Sequence, residues 1–329
     1  MKEILYKSYK DRRSVPKNLL NKDSKLFEHE YIKKIPDSYL FRSKNITYFN
    51  SIILSISRLR YFKKYSFFGD KTMLERFKRI IKNYSISNKN EIIIEKGIWF
   101  TDHKSHVYFH WILDSLQRAE ISYKYQKEYP LLVPEELYEL AFVSESLEHL
   151  GFEYKVLNKN QIYKLKEVVI ISKTAQTGNY NKYILDNLVK RFFSFSKKEK
   201  SSPNKNLFIL RKQERGRNIK NLHEIESILE KYNFETIEFE NFNFKEKIKL
   251  LSNCKNLVGI FGSGLTNMIF MKKNTNVIEI RRKNDDKNNA FFSLASSMNI
   301  NYFYLFFEFG ENGLEINVDN FEYLVSRLP

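Results

Sequence analysis

Three short stretches of the chain carry residue types that do chemistry. The first, TDHKSHVYFHWILDSLQRA, holds His103, His106 and His110 together with Asp102, Asp114 and Arg118. On a helix His110 and Asp114 stand four apart and share a face, and Asp114 and Arg118 repeat the step. A His–Asp pair makes a tuned general base. Three histidines can also ligate a metal, but the spacing is not H-E-x-x-H and no matching carboxylate motif lies nearby. The plainer alternative for His110 is a hydrogen-bonded, partly buried histidine beside Trp111.

The second stretch, LFILRKQERGRNIKN, opens as a strand and places Arg211, Lys212, Arg215 and Arg217 just beyond it. Basic side chains at a strand's carboxyl end can clamp a diphosphate, Arg in a bidentate manner; the alternative is an ordinary solvated basic loop. The third, LVGIFGSGLTNMIFMKKNTNVIEI, runs from an apolar β-prone segment (Leu257 to Phe261) through Gly262, Ser263 and Gly264. A helix-like segment (Leu265 to Met271) and a second β-prone run (Val277 to Ile280) follow. This is a βαβ unit. Its turn brings bare N–H groups to a helix N-terminus, which suits a phosphate-bearing ligand. Glycines at such a turn also serve close packing alone, and neither G-x-G-x-x-G nor G-x-x-x-x-G-K-[ST] is present.

Alternating elements must position these stretches. Residues 1 to about 45 are polar with short apolar patches. Strands are expected at Ile52–Ile56 and Ile92–Ile94, with a basic helix around Met73–Ile81 between them. A helix over Tyr108–Tyr123, a strand at Leu131–Val133 and a helix from Glu135 to Leu150 come next, with Pro134 at its first position and Gly151 closing it. Strands at Phe152–Leu157 and Glu167–Ser172 and a helix over Tyr180–Phe195 follow. The Ser-, Lys- and Pro-rich stretch Ser194–Asn206 reads as an interdomain linker. Beyond it Leu207–Leu210, Glu235–Glu238 and the glycine-turn strands alternate with helices at Leu222–Tyr232 and Lys245–Cys254. That alternation implies a parallel sheet with ligands beyond its carboxyl ends. The expected domains are residues 1–200 and 201–329, the last helix being a candidate to pack back on the first.

The chain has 329 residues, 56 Lys plus Arg against 39 Asp plus Glu, and a formal net charge of +17. That charge should attract anions: nucleic acid, an anionic membrane surface or phosphorylated substrates. The basic residues are dispersed rather than gathered in an arm. A single cysteine, Cys254, excludes an intrachain disulfide and a cysteine-based zinc site; it is read as a small core residue at an apolar helix end. The first 30 residues lack a signal-peptide core and no window is long and apolar enough to span a membrane, so a cytoplasmic setting is expected.

Taken in order, the three stretches resemble glycosyltransferase family 61, which includes bacterial capsular-polysaccharide enzymes and eukaryotic xylosyl- and N-acetylglucosaminyltransferases. The family segment H-W-[LI]-x-D-x-L-x-R is matched by His110, Trp111, Ile112, Asp114, Leu116 and Arg118. Its basic segment is matched by Ile209, Arg211, Arg217 and Asn221, with Glu224 following. Its signature G-x-H-G-A-G-L-T-N, then F-M and V-I-E-[IL], falls on Gly259, Gly262, Gly264, Leu265, Thr266, Asn267, Phe270, Met271 and Val277–Ile280. The family's usual histidine is Phe261 here and its usual alanine is Ser263. The resemblance covers roughly residues 100 to 305.

The resemblance implies an α/β, GT-B-like architecture of two Rossmann-like domains facing a central cleft, and an inverting transfer. No Asp-x-Asp pair occurs in the sequence, so a metal-independent reaction without a cofactor is expected, the nucleotide-sugar donor being a substrate. The donor would be bound along Gly262, Ser263, Gly264, Leu265, Thr266 and Asn267, its diphosphate at Ser263 to Thr266, with Arg211 and Arg217 stabilising the leaving group; the alternative for Thr266 and Asn267 is capping of the helix. Glu279, at a strand's carboxyl end, would hydrogen-bond the ribose hydroxyls; the plainer alternative is a surface carboxylate. Asp114, or His110 oriented by it, would deprotonate the acceptor. The expected acceptor is a glycan or lipid-linked oligosaccharide in capsule or lipopolysaccharide assembly, at the anionic inner face of the plasma membrane. Two rival readings stand beside this: a non-catalytic sugar- or nucleotide-binding relative, suggested by Phe261, and a basic nucleic-acid-binding protein. The latter lacks a strand of interleaved aromatic and basic residues.

Overall fold

The structure, a computed structural model, describes residues 2–49, 52–55, 60–61, 88–194, 202–210, 218–310 and 313–328. The chain divides into two units, one of Met1–Tyr9 with Ile35–Thr177 and one of Lys10–Lys34 with Gly178–Pro329. The expected helix around Met73–Ile81 lies outside the described residues, as does most of the expected linker.

The described strands follow in chain order. They are β1 (Lys2–Tyr6), β2 (Tyr9–Arg12), β3 (Ile32–Ile35), β4 (Ser38–Phe49), β5 (Ile52–Ser55), β6 (Arg60–Tyr61), β7 (Asn88–Trp99), β8 (Leu131–Pro134), β9 (Tyr154–Leu157) and β10 (Gln161–Ile171). In the first unit β6-β5-β4-β10-β7-β8-β9 form one sheet, with β1 also on β4. Strand β10 runs antiparallel to β4 and parallel to β7, and β7, β8 and β9 are parallel. The sheet is therefore mixed, where the sequence suggested a Rossmann-like parallel one. Its antiparallel arm comes from β4, whose half-solvated polar residues hide a long strand. By contrast β8, buried at every position, reads as a continuous apolar run. Tyr48, Trp99 and Tyr163 knit β4, β7 and β10, with ring centroids 5.6 and 5.9 Å apart. The helix expected over 135–150 is two pieces, Glu135–Tyr138 and Ala141–Leu150, broken where Leu140 turns extended. Pro134 caps the first piece from outside it. Gly151, at φ 62°, ends the second in the left-handed conformation that glycine accepts without strain.

The second unit holds β11 (Lys205–Ile209), β12 (Phe234–Ile237), β13 (Cys254–Ile260), β14 (Asn276–Arg282), β15 (Asn301–Gly310) and β16 (Gly313–Ile316). Their order is β12-β11-β13-β14-β15-β16; the first five are parallel and β16 is antiparallel to β15. One face packs Phe208, Val258, Ile260, Ile278 and Ile280 against Ile225 and Leu229 of the helix Leu222–Lys231. Phe321, Leu324 and Val325 of the last helix, Val318–Val325, complete that core. On other helices of the unit Phe192, Phe244 and Phe270 meet with centroids 5.0–5.8 Å apart. Cys254 opens β13 rather than ending a helix, because Asn253 already terminates the preceding one. Burial pushes its thiol well above the ordinary range.

A ladder of asparagines crosses this sheet in register. Asn256 donates to Asn206 (2.7 Å), Asn276 to Asn256 (2.7 Å) and Asn301 to Asn276 (2.9 Å). Each amide satisfies its neighbour, so buried polar groups cost little.

Residues 10–34 belong to this unit although both flanks belong to the other. Phe27, fully buried, packs on Phe292, Tyr302 and Tyr304, which contributes about 1.5–3 kcal/mol. Tyr304 donates to Asp23 (2.7 Å). The buried Arg13 guanidinium bonds Glu30 and Ser293 (both 2.6 Å) and Asn179.

Candidate active site

In the first unit the helix bearing His110 and Asp114 begins at Tyr108, after an extended Val107, and ends at Ile121. Trp111, Ile112, Leu113, Leu116 and Ala119 are fully buried and fix its orientation. Trp111 donates to Ser146 (2.8 Å) and meets Phe100 edge to face. The helix is not uniform: Trp111–Ser115 form a turn of π-helix, closed by the Leu116 N–H on the Trp111 carbonyl. Such a turn inserts a residue into the ladder. Two side chains donate to carbonyls of this turn. Gln117 donates to the Leu113 carbonyl, and Arg118 Nε to the Asp114 carbonyl at 3.2 Å.

On the less buried side of this turn His110 Nδ1 lies 2.8 Å from Asp114 Oδ2, with 16% and 11% of the two side chains exposed. When Nδ1 carries the proton and donates it to the carboxylate, Nε2 is left as an acceptor, the state a general base needs. The sequence pairing of these residues is met. The expected repeat from Asp114 to Arg118 is not. Arg118 touches the backbone of Asp114 and gives its guanidinium to Asp102, Nη2 to Oδ2 at 3.0 Å, both side chains being at most 3% exposed. Asp102 also accepts from the Lys104 N–H (2.9 Å), while its own N–H donates to Ser105 Oγ. Ser105 and Ser115 hydroxyls lie 2.8 Å apart, and Arg118 reaches Ser115 at 3.3 Å. Burial pushes the Asp102 carboxyl up, but Arg118, the Lys104 amide, Lys173 and His103 outweigh it and hold the group below its usual 3.8. Ser105, Ser115 and Gln117 were not singled out from sequence; the D-x-x-S turn beginning at Asp102 was the available signal. Among the described residues no group of three or more His, Cys, Asp or Glu side chains could hold a metal ion, so His103, His106 and His110 do not converge as ligands.

In the second unit β13 runs into the glycine turn. The Phe261 N–H bonds the Ile280 carbonyl (2.8 Å), and Leu265 closes on Gly262 (3.0 Å). The following helix is 3₁₀, Ser263–Phe270, and starts two residues before the expected segment. In a ladder of i→i+3 bonds the first amides, those of Ser263 and Gly264, have no helical carbonyl to meet. Ser263, Gly264 and Phe261 are partly exposed, whereas Leu265, Thr266 and Asn267 point their side chains inward, at most 1% exposed. Asn267 donates to the Gly264 carbonyl (2.9 Å) and neither it nor Thr266 caps the helix start. The Phe261 ring, at the position of the expected histidine, rests edge-on against Phe291, centroids 5.5 Å apart.

The glycines have a packing role as well. A Cβ at Gly259 would lie 2.8 Å from Ile209 Cδ1 and 3.2 Å from Leu265, and one at Gly264 would lie 3.1 Å from Ile209 Cγ2. Ile209 thus sits where the turn has no side chains, at the end of β11. Arg211 and Arg217 lie outside the described residues.

Glu279 is placed otherwise than the sequence suggested. It is the fourth of seven residues of β14, pairs with Tyr304 and Gly259 across the sheet, and is fully buried. Tyr302 donates to Oε2, and Arg281 stands 3.9 Å away. Burial raises its carboxyl above the ordinary range, against the pull of Arg281 and the Tyr302 hydroxyl. Arg281 is itself held by Asn289 (2.9 Å), Tyr302 (3.2 Å) and the Asp285 and Asn288 carbonyls.

The family model for Glycosyltransferase 61 matches residues 108–278, just over half of the chain. No curated protein matches it. The matched span opens at the helix bearing His110 and Asp114, contains the whole glycine turn, and ends inside β14. The chain therefore belongs to the glycosyltransferase 61 family and is a glycosyltransferase.

Proposed function

We propose that this enzyme moves a sugar from a nucleotide-sugar to a glycan acceptor with inversion and without a metal. The observation that carries the reading is the 2.8 Å His110–Asp114 contact, held on a π-turn in the family-matched span. Neutral His110, its Nδ1–H on Asp114, takes the acceptor hydroxyl proton at Nε2 as the hydroxyl oxygen attacks the anomeric carbon; Asp114 as the direct base is the alternative assignment. The donor diphosphate binds at the Ser263 and Gly264 amides, supported by their position at a helix start and their partial exposure. As the bond from the anomeric carbon to the diphosphate breaks, Arg211 and Arg217 supply positive charge against the negative charge that develops on the departing diphosphate. Absence of any Asp-x-Asp pair supports metal independence. Glu279 is given no donor contact, because its carboxylate is inside the unit.

The two units correspond, in this reading, to the acceptor and donor halves of a GT-B enzyme. The acceptor is a lipid-linked glycan of capsule or lipopolysaccharide type, reached from an anionic membrane surface. The net charge of +17 supports this, since each Lys or Arg near an anionic leaflet adds roughly 1 kcal/mol. Among the described residues no helix is long and apolar enough to cross a membrane. The test is a thermal-shift screen with nucleotide-sugars, followed by mass spectrometry of products formed with and without a chelator. A sugar added to an acceptor, unchanged by chelation, is expected; binding without any transfer or donor hydrolysis would leave the non-catalytic reading.

A further inference from the structure

We propose that Arg118, locked by Asp102, is a positioning residue that sets the geometry of the His110–Asp114 pair without touching substrate. The inference rests on the reading of that pair as the base. The π-turn begins directly after His110 and contains Asp114, so the distance between the two partners is not set by a regular ladder. What fixes the far end of the turn is side-chain donation: Gln117 to the Leu113 carbonyl and Arg118 Nε to the Asp114 carbonyl. The second bond acts on the peptide unit of the very residue whose carboxylate meets His110.

Arg118 can do this only if its own direction is fixed. Asp102 holds Nη2 at 3.0 Å and Ser115 holds it at 3.3 Å. Asp102 is in turn fastened by the Lys104 amide and the Ser105 hydroxyl. The guanidinium is 1% exposed, and Nη1 has no partner among the described residues. A long cation buried with one donor unmet is an expensive way to hold a helix in place. A function in aiming Asp114 accounts for it.

Two variants test the proposal. Arg118→Lys keeps a charge beside Asp102 and loses the Nε bond to the Asp114 carbonyl. The double replacement Arg118→Met with Asp102→Leu removes the ion pair as a whole, which buried pairs often tolerate in stability. On folded protein, checked by near-ultraviolet circular dichroism, kcat should fall about 100-fold in either variant. The KM for the nucleotide-sugar should stay within about twofold, since the loss is confined to the chemical step. Asp114→Asn is run alongside. If it abolishes transfer while a folded Arg118 variant keeps the wild-type kcat, the positioning role is overturned and the base survives. If Asp114→Asn itself transfers at the wild-type rate, the base reading fails first. A rise in KM that matches the loss in kcat/KM, with kcat intact, would also overturn the proposal.

Discussion

The π-turn of the first unit and the glycine turn of the second are held by opposite means. The π-turn is fixed by buried polar side chains: Gln117 and Arg118 occupy its carbonyls, and Asp102 anchors Arg118. The glycine turn is fixed by missing side chains, with Ile209 filling the space that Gly259 and Gly264 leave. The first presents side chains, His110 and Asp114; the second presents backbone at Ser263 and Gly264. In the proposed mechanism the first moves a proton, which needs an aimed functional group, and the second receives a diphosphate, which needs close backbone approach. The two turns should therefore fail differently, one on losing a hydrogen bond and the other on gaining a methyl.

The largest break is expected in the polar turn. Asp102→Asn leaves the Arg118 cation buried without its counter-charge and should cost about 3–5 kcal/mol in urea unfolding. The sign of its pH dependence follows from the lowered carboxyl. The stability it contributes is present above its unfolded value, near 3.8, and is lost as pH falls through the lower folded value. The variant should thus show a shallower loss of stability below about pH 4 than the parent.

In the apolar turn Gly259→Ala should cost about 1–3 kcal/mol by overpacking. Ile209→Val deletes the Cδ1 atom that the new methyl meets at 2.8 Å, so the double variant should lose less than the sum. Gly264→Ala meets Ile209 Cγ2 at 3.1 Å, an atom that Val retains. Its cost should be smaller, below about 1 kcal/mol, and Ile209→Val should not relieve it.

How far the sequence spoke differs between the same two regions. The strands and helices from Leu207 to Ile280 follow the alternation of short apolar runs, because a parallel sheet buries both faces and writes itself as β-prone segments between helices. His110 and Asp114 were legible as a helical i, i+4 pair. The π-turn was not, since four-residue spacing looks the same whether or not the ladder between is regular. Nor was the Asp102–Arg118 pair, which depends on a contact sixteen residues apart, while the local spacing offered Asp114 instead. The assignment of residues 10–34 to the second unit rests on Phe27, Arg13 and Asp23 meeting residues beyond 178, a tertiary fact without local periodicity. Glu279 looked like a strand-end ligand residue because the length of β14 was underestimated; Arg281 and Arg282 extend the strand two residues beyond the expected end at Ile280.

A comparably small effect belongs to Glu279, which sharpens the comparison between two buried carboxyls. Asp102 is held low beside its arginine, whereas burial drives Glu279 up. The stability from Glu279 is fully present below its unfolded value, near 4.5, and is lost as pH rises through the folded one. Glu279→Gln should cost about 1 kcal/mol or less at neutral pH, because Arg281 keeps Asn289 and two carbonyls. It should also remove part of the gain in stability on lowering the pH through the raised folded value toward about 4.5.

The central claim, that His110 and Asp114 activate the acceptor while the glycine turn holds the donor, is tested most directly with Asp114→Asn. Calorimetric binding of the nucleotide-sugar and single-turnover transfer to acceptor would be measured on the same preparation. The account predicts donor affinity within about twofold of the parent and transfer slowed at least about 100-fold. Transfer at the parental rate, or donor affinity lost together with transfer, would contradict it.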